Sequence, residues 1–101
     1  MRRQVLRTIA WGRSGDKGAN VNIGLIAKTE EAYEWMVREL TESKVAHYFG
    51  TDKVIRYLWP KLHAINFVLE GVLQEGGGLN LKLDSQGKAY AEALLEMEVI
   101  L

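Results

Sequence analysis

Alternating apolar and polar positions predict two strands near the start of the chain. The first covers Val5–Trp11 and the second covers Val21–Ala27. Between them, the segment Arg13–Gly18 combines two glycines with charged residues, a composition typical of a loop. The pattern therefore predicts an antiparallel hairpin with this glycine-rich segment at its tip.

Helical spacing follows. Thr29 is a good N-cap for a helix whose apolar stripe ends at Leu40, and a shorter helix is predicted over Glu42–Phe49 with Gly50 as its stop. After a strand over Val54–Trp59, Pro60 stands where another helix can begin. One face of that helix would carry Leu62, Ile65, Asn66, Leu69, Val72 and Leu73.

The last third of the chain predicts a strand over Leu79–Leu83 and a helix capped by Asp84 or Ser85. The apolar tail Val99–Leu101 needs a docking site, on this chain or on another. The order β-β-α-α-β-α-β-α favours parallel pairing across helical crossovers. We therefore predict an α+β, ferredoxin-like sandwich: a four-stranded mixed sheet with helices packed on one face.

Composition narrows the classes of function. A chain of 101 residues predicts one domain over residues 1–101 with one core. Thirteen basic and thirteen acidic residues give zero net charge, which argues against a nucleic-acid partner because such binders carry a basic field. Zero net charge also removes repulsion between copies, so a homo-oligomer is expected.

The residue inventory excludes further classes. Without cysteine there are no disulfides, thiolate metal sites or cysteine nucleophiles. His47 and His63 alone give a metal site little support, and no cofactor is implied. No apolar run approaches the roughly 18 residues that span a membrane. We expect a cytoplasmic protein without a membrane partner.

The segment Arg13–Gly18 carries the richest chemistry. Its glycines can expose backbone N–H groups, and Arg13 and Lys17 suit an anion. It does not match a phosphate-binding P-loop, and its GXXG tetrapeptide joins predicted strands rather than the helices of a KH domain. A plain hairpin tip with solvated charges is the alternative. The candidate ligand-binding residues are Arg13, Ser14, Gly15, Lys17, Gly18, Asn20, Asn22 and Asn66.

Two further groups could take part in catalysis. Asp16 and His63 could form an acid–base pair if the loop folds over the helix predicted after Pro60. Asn66, in an apolar stripe, needs hydrogen-bond partners and could equally be a structural anchor.

The three tryptophans, at positions 11, 35 and 59, are predicted to lie in the core or at an interface.

Four segments resemble the signature of the ferredoxin-fold domain of AtuA-like (acyclic terpene utilisation) proteins. They are Arg13–Gly18, Asn22–Ala27, Leu62–Leu69 and Leu81–Lys88, and the resemblance extends over nearly the whole chain. The resemblance implies a ferredoxin-like fold. It also favours Arg13–Gly18 and the His63/Asn66 segment as parts of a site, although a recurrent motif can be purely structural.

In that family the domain is usually the C-terminal part of a longer protein. The family is associated with degradation of terpenoid and other branched acyl compounds as CoA thioesters. The resemblance therefore implies a small subunit that works with a separately encoded, larger AtuA-like subunit.

Two functions remain open. In the first, the chain is a subunit of an acyl-CoA-processing enzyme: Arg13 and Lys17 hold a phosphate or carboxylate, Asp16 orients Lys17 or acts as a base, and His63 assists proton transfer. In the second, the chain is a non-catalytic oligomerisation or protein-interaction module. A site shared between chains would reconcile the two.

Overall fold

The structure, a computed structural model, describes residues 2–18, 20–71 and 86–100, with the backbone alone for Lys17 and residues 86–88. The strands are β1 (Arg3–Val5), β2 (Ala10–Lys17), β3 (Asn20–Ala27), β4 (Val54–Trp59), β5 (Ala64–Leu69) and β6 (Glu98–Ile100). The helices are α1 (Glu30–Glu39), α2 (Glu42–Phe49) and α3 (Gln86–Leu95), with short 3-10 turns at Leu6–Thr8 and Pro60–Leu62. The strand predicted over Leu79–Leu83 and the cap predicted at Asp84 or Ser85 lie outside the described residues.

Four strands form one sheet in the order β2-β3-β5-β4, and β1 pairs with β6. The ferredoxin-like α+β fold is thereby confirmed, but the pairing differs from the prediction. Every strand pair in the described part of the chain is antiparallel, so the sheet there is not mixed. The reason is that no long helix separates β4 from β5: the turn Pro60–Leu62 joins them directly, and a parallel pair would need a long crossover.

The helix predicted after Pro60 was wrong because two periods fit the same residues. Ile65 and Leu69 are four positions apart, which suits a helix, but they also lie on the same side of a strand. In β5, buried and half-buried residues alternate strictly, with Phe67 between those two on the buried side. Asn66 therefore leaves the apolar stripe and faces the opposite side of the sheet.

The loop predicted over Arg13–Gly18 was also wrong in its extent. Residues through Lys17 belong to β2 and pair with β3 along its whole length. Lys17 is paired with Asn20, so the connection is tight, and Gly18 has a φ of 64°, a left-handed conformation that glycine adopts without strain. The opening hairpin itself is confirmed, but its first strand begins at Ala10, because the 3-10 turn Leu6–Thr8 interrupts the strand predicted over Val5–Trp11.

Both predicted helices in the middle of the chain are confirmed, with Thr29 and Gly50 in the predicted roles and Thr41 as an additional N-cap. The Thr29 hydroxyl accepts a hydrogen bond from Ala32 N at 3.0 Å, and Thr41 accepts one from Lys44 N at 3.1 Å. Gly50 ends α2 with a φ of 68°. Arg56 joins β4 to the end of α1, because its Nη1 donates to the carbonyls of Val37 and Leu40 at 2.9 and 2.7 Å.

The core lies between one face of the four-stranded sheet and the three helices. Each helix supplies buried apolar side chains, and β3 and β5 supply theirs at alternate positions. The largest fully buried side chains are Tyr90, Phe49, Phe67, Leu6, Ile23, Leu25, Met36, Leu40, Ile65, Leu69, Leu94 and Val21. Packing of the helices on one face, as predicted, leaves the other face of the sheet uncovered by any described element.

Two tyrosines fasten the helices in this layer. Tyr48 Oη donates to the carbonyl of Ala93 at 2.7 Å, and Tyr90 packs its ring against Phe49. Burial raises the pKa of both phenols above the ordinary value. Because a raised folded-state pKa favours the neutral phenol, their contribution to stability is present below about pH 10 and is lost as the pH rises through the raised values.

Val99 and Ile100 of the apolar tail dock on this chain, and Leu101 lies outside the described residues. Val99 is buried in β6, which pairs with β1, and Trp35 Nε1 donates to the carbonyl of Ile100 at 3.2 Å. Leu6 N donates to the carbonyl of Met97 at 2.8 Å just before this strand. The tail thus ties the two ends of the described chain together.

We predict that Gly12→Ala is destabilising, whereas Gly15→Ala is not. A Cβ at Gly12 would lie 2.8 Å from Leu25 Cδ2 and 3.4 Å from Leu95 Cδ2, so overpacking should cost about 1–3 kcal/mol. A Cβ at Gly15 would meet nothing within 4 Å, and reduced freedom of the unfolded chain should leave stability equal or up to about 1 kcal/mol higher. Urea unfolding measures both; equal effects would contradict this packing.

Deletion of Val99–Leu101 should lower the free energy of unfolding by about 2–4 kcal/mol, because it removes a buried valine and the acceptor of the Trp35 indole. Ile100→Ser is the control. It alters an exposed side chain and leaves the backbone pairing intact, so it should cost less than about 1 kcal/mol. If the deletion instead left stability unchanged and altered the mass in solution, the tail would be an intermolecular contact.

Candidate functional site

Strand alternation gives the four-stranded sheet a second face, which we call the open sheet face. Its residues follow from strand parity and register. They are Trp11, Arg13 and Gly15 from β2; Asn22, Gly24 and Ile26 from β3; Ala64, Asn66 and Val68 from β5; and Ile55, Tyr57 and Trp59 from β4. None of these twelve is acidic.

The register arranges the open sheet face in three rows across the strands. In the central row, Arg13 is opposite Gly24, Gly24 is opposite Asn66, and Asn66 is opposite Tyr57. The flanking rows, in the same strand order, are Trp11-Ile26-Ala64-Trp59 and Gly15-Asn22-Val68-Ile55. The central row therefore carries polar side chains except at Gly24, whereas the flanking rows are mainly apolar, with Asn22 as their polar member.

A depression of about 630 Å³ lies over the centre of this face. Arg13, Asn22, Asn66, Tyr57 and Trp59 contribute to its walls. Gly24, which has no side chain, forms the floor of the depression. A Cβ at this position would be in van der Waals contact with Asn66 Oδ1, at 3.6 Å, and would fill part of the space. The missing side chain in the central row therefore creates the space.

The polar groups of the depression are available to a ligand. The side chains of Arg13, Asn22 and Asn66 form no hydrogen bond or ion pair with any residue that the structure describes. Arg7 and Arg56, by contrast, already have partners within the protein. Arg7 contacts Glu92 and Glu96 at 2.7 and 3.0 Å, which raise its pKa, and Arg56 is committed to helix carbonyls.

Large apolar side chains surround these polar groups. Trp11 is 60% exposed, Trp59 54% and Tyr57 47%, so three aromatic rings of one sheet face are open to solvent. The Lys28 ammonium lies 5.3 Å from the centre of the Trp11 ring, a cation–π distance. This density of exposed tryptophan, tyrosine and arginine is typical of binding surfaces.

The structure brings together three of the predicted ligand-binding residues, Arg13, Asn22 and Asn66, together with Gly15 at the edge of the face. Two other predicted residues, Ser14 and Asn20, form hydrogen bonds elsewhere in the fold. The Ser14 hydroxyl accepts a hydrogen bond from Ala91 N at 2.8 Å, beneath α3, and Asn20 Oδ1 accepts one from Gly71 N at 2.8 Å. Both side chains therefore hold the fold together at these contacts.

The remaining predicted residues lie near the hairpin tip. Gly18 makes the turn, and the backbone of Lys17 pairs with Asn20 at the end of β2. Asp16 is exposed and, by strand alternation, on the helix side of the sheet, opposite in direction to Arg13. The predicted continuous anion-binding loop is therefore not formed, because a strand sends neighbouring side chains to different faces.

Asp16 and His63 do not form a pair. Asp16 is in register with Val21 and thus with Leu69 at one end of β5, whereas His63 precedes β5 at its other end. The length of this six-residue strand separates them, roughly 20 Å at about 3.3 Å per residue. Folding of a loop over a helix, on which the pairing depended, does not occur, because both segments are strands.

His63 has a structural position of its own. It ends the turn Pro60–Leu62 with a φ of 51°, and its carbonyl accepts a hydrogen bond from Ala27 N at 2.8 Å. Its ring lies 5.5 Å from the buried Tyr33 ring, whose hydroxyl has no partner among the described residues. These contacts fix the connection between β4 and β5.

Sequence reasoning missed the contribution of Gly24, Tyr57 and Trp59. Gly24 has no predicted role beyond its place in the strand Val21–Ala27. Trp11 and Trp59 are exposed, so of the two predicted locations for the tryptophans the core is wrong for them. The sequence does indicate that these two aromatic residues share a face, because Tyr57 and Trp59 are two positions apart in the predicted strand Val54–Trp59. Their alignment with Arg13 depended on the β4–β5 pairing, which the predicted helix concealed.

No group of three or more histidine, aspartate or glutamate side chains in the described ranges of the chain is placed to hold a metal ion. No helix in those same ranges is long and apolar enough to cross a membrane.

Comparison with known proteins adds the family. The model of the AtuA ferredoxin-like domain matches residues 4–100. No curated protein and no solved structure matches the chain. Since the match extends over nearly the whole sequence and the fold is the ferredoxin-like α+β arrangement that the family's name describes, the chain belongs to the AtuA ferredoxin-like domain family.

Proposed function

We propose that this protein is a small subunit that works with a larger AtuA-like subunit in the catabolism of terpenoid or branched acyl compounds. The observation that carries the proposal is the open sheet face, an aromatic and apolar surface with a polar centre on a domain whose helices cover only the other side. Family membership supports the choice of partner, because this domain usually occurs attached to a larger one.

The open sheet face has the composition of an interface rather than of an ordinary surface. Its exposed large hydrophobic residues include Trp11, Ile26, Ile55, Tyr57 and Trp59. Contiguous apolar patches of this kind mark interaction sites on soluble proteins, and interface energy concentrates in Trp, Tyr and Arg. Covering the face with the larger subunit would bury these side chains and close the depression into a pocket.

In this proposal acyl binding is assigned to the depression and no longer to the segment Arg13–Gly18. Arg13, Asn22 and Asn66 would contact the acyl compound in the depression, with the larger subunit completing the walls. In this proposal the chain supplies binding groups and a covered surface. The suggested proton-transfer roles of Asp16 and His63 are not used, since the two side chains lie at opposite ends of the sheet.

A second candidate function is a homo-oligomerisation module that uses the same face. The zero net charge of the chain favours it, because two copies would not repel each other. The two candidates differ in what covers the open sheet face: a second copy of this chain or the larger AtuA-like subunit.

A matched pair of isoleucine variants tests the proposal. Ile26→Glu places a carboxylate on the open sheet face, whereas Ile100→Glu places one on β6; the two wild-type side chains are 50% and 54% exposed, and both lie on strands. Each variant is co-expressed with the larger AtuA-like protein of its own host. We expect the wild type and Ile100→Glu to co-purify with that protein and Ile26→Glu to retain less than about a tenth of it, since an interfacial charge without a partner costs several kcal/mol.

Light scattering on the isolated chain separates the alternatives. Co-purification that Ile26→Glu leaves intact would exclude the open sheet face as the subunit interface. Failure of wild type to bind the larger protein, together with a dimer that Ile26→Glu converts to a monomer, would replace the proposal by the oligomerisation module.

A further inference from the structure

We infer that the depression over Gly24 binds an apolar monocarboxylate: its carboxylate at Arg13 and the neighbouring amides, its hydrocarbon body against the aromatic side chains. The inference deepens the proposed function by assigning a ligand class to the open sheet face, and it requires only this chain. It rests on the charge, the spacing and the walls of the depression.

The open sheet face carries the positive charge of Arg13 and no negative side chain among its twelve residues. Arg3, Arg7 and Arg38 each contact a glutamate within 3.5 Å. Arg13 has no such neighbour among the residues that the structure describes, and the open sheet face contains no acidic residue. An anion at Arg13 therefore meets a guanidinium that is not already neutralised, and a planar guanidinium matches a carboxylate with two parallel hydrogen bonds.

The spacing suits a group of carboxylate size. Gly24 separates Arg13 from Asn66 in the central row, so their strands are two inter-strand steps, roughly 10 Å, apart. A side chain at position 24 would occupy this gap; the glycine leaves it empty. Asn22 precedes Gly24 by two residues on the same face, so two carboxamides can complete the hydrogen bonds of an anion that Arg13 holds.

The walls suit a hydrocarbon body. Ile26, Ala64 and Trp59 line the depression on one side of the central row, and Val68 lines it on the other. The volume of about 630 Å³ is within the usual range of small-molecule sites, about 300–1,000 Å³. An apolar tail can therefore extend from the carboxylate across the sheet and remove aromatic surface from water.

The number of cations favours a single negative charge. A phosphate monoester carries about −1.5 to −2 charge at pH 7, whereas the described residues that line the depression include one cation, Arg13, beside the two neutral amides of Asn22 and Asn66. A carboxylate needs only one cation. The geometry thus points to the free acid rather than to the phosphate-bearing carrier of a thioester.

Titration of the isolated chain with octanoate and with its neutral analogue octanamide tests the inference. Heteronuclear NMR spectra report the affinity and the location together. We expect octanoate to shift the amide signals of Gly24, Asn66 and their neighbours and to bind at least tenfold more tightly than octanamide. Arg13→Gln should weaken octanoate binding at least tenfold and leave octanamide unchanged.

Arg38→Gln is the matched control, because it removes the same charge from an exposed arginine on α1 and should leave octanoate affinity unchanged. Three results would overturn the inference: no saturable binding at millimolar octanoate, equal affinities for octanoate and octanamide, or equal losses in the two arginine variants. Tighter binding of octanoyl-CoA, displaced by free CoA, would overturn it in favour of the carrier. None of these results depends on the larger subunit, so the proposed function stands or fails separately.

Discussion

The antiparallel register of the four-stranded sheet is the constraint on which the rest of this structure depends. Each strand sends alternate side chains to opposite faces, so one register fixes both the core and the surface. A shift of β5 by one residue would bury Asn66 and expose Phe67 and Leu69, which are fully buried. Burial of those side chains on one side therefore holds Asn66 in the central row on the other.

Two glycines, Gly12 and Gly24, have different effects on the two faces of the sheet. Gly12 allows Leu25 and Leu95 to approach β2 from the core, whereas Gly24 leaves a space on the open side between Arg13 and Asn66. The same residue type thus allows close packing in one strand and leaves a depression in the next. Strand alternation in β2, which sends neighbouring side chains to opposite faces, explains why the segment Arg13–Gly18 contributes only part of its residues to the candidate site.

The sequence supported much of the fold and less of the site. Clear alternation identified β3, and threonine and glycine caps bounded α1 and α2, because these signals are local. The segment that became β5 has apolar residues at positions that satisfy both helical and strand spacing, and only its pairing with β3 and β4 decides between them. Because the sequence predicts a helix over the residues of β5, it does not predict the joint placement of Arg13, Asn66 and Tyr57, which is a property of four paired strands.

Inter-strand nuclear Overhauser effects from a single NOESY spectrum test the central claim most directly. The account predicts cross-strand contacts that place Gly24 opposite both Arg13 and Asn66, and Asn66 opposite Tyr57, with no helical contacts between residues three apart within Ala64–Leu69. Helical contacts over that segment, or a register shifted by one residue, would contradict it, because Asn66 would then leave the open sheet face.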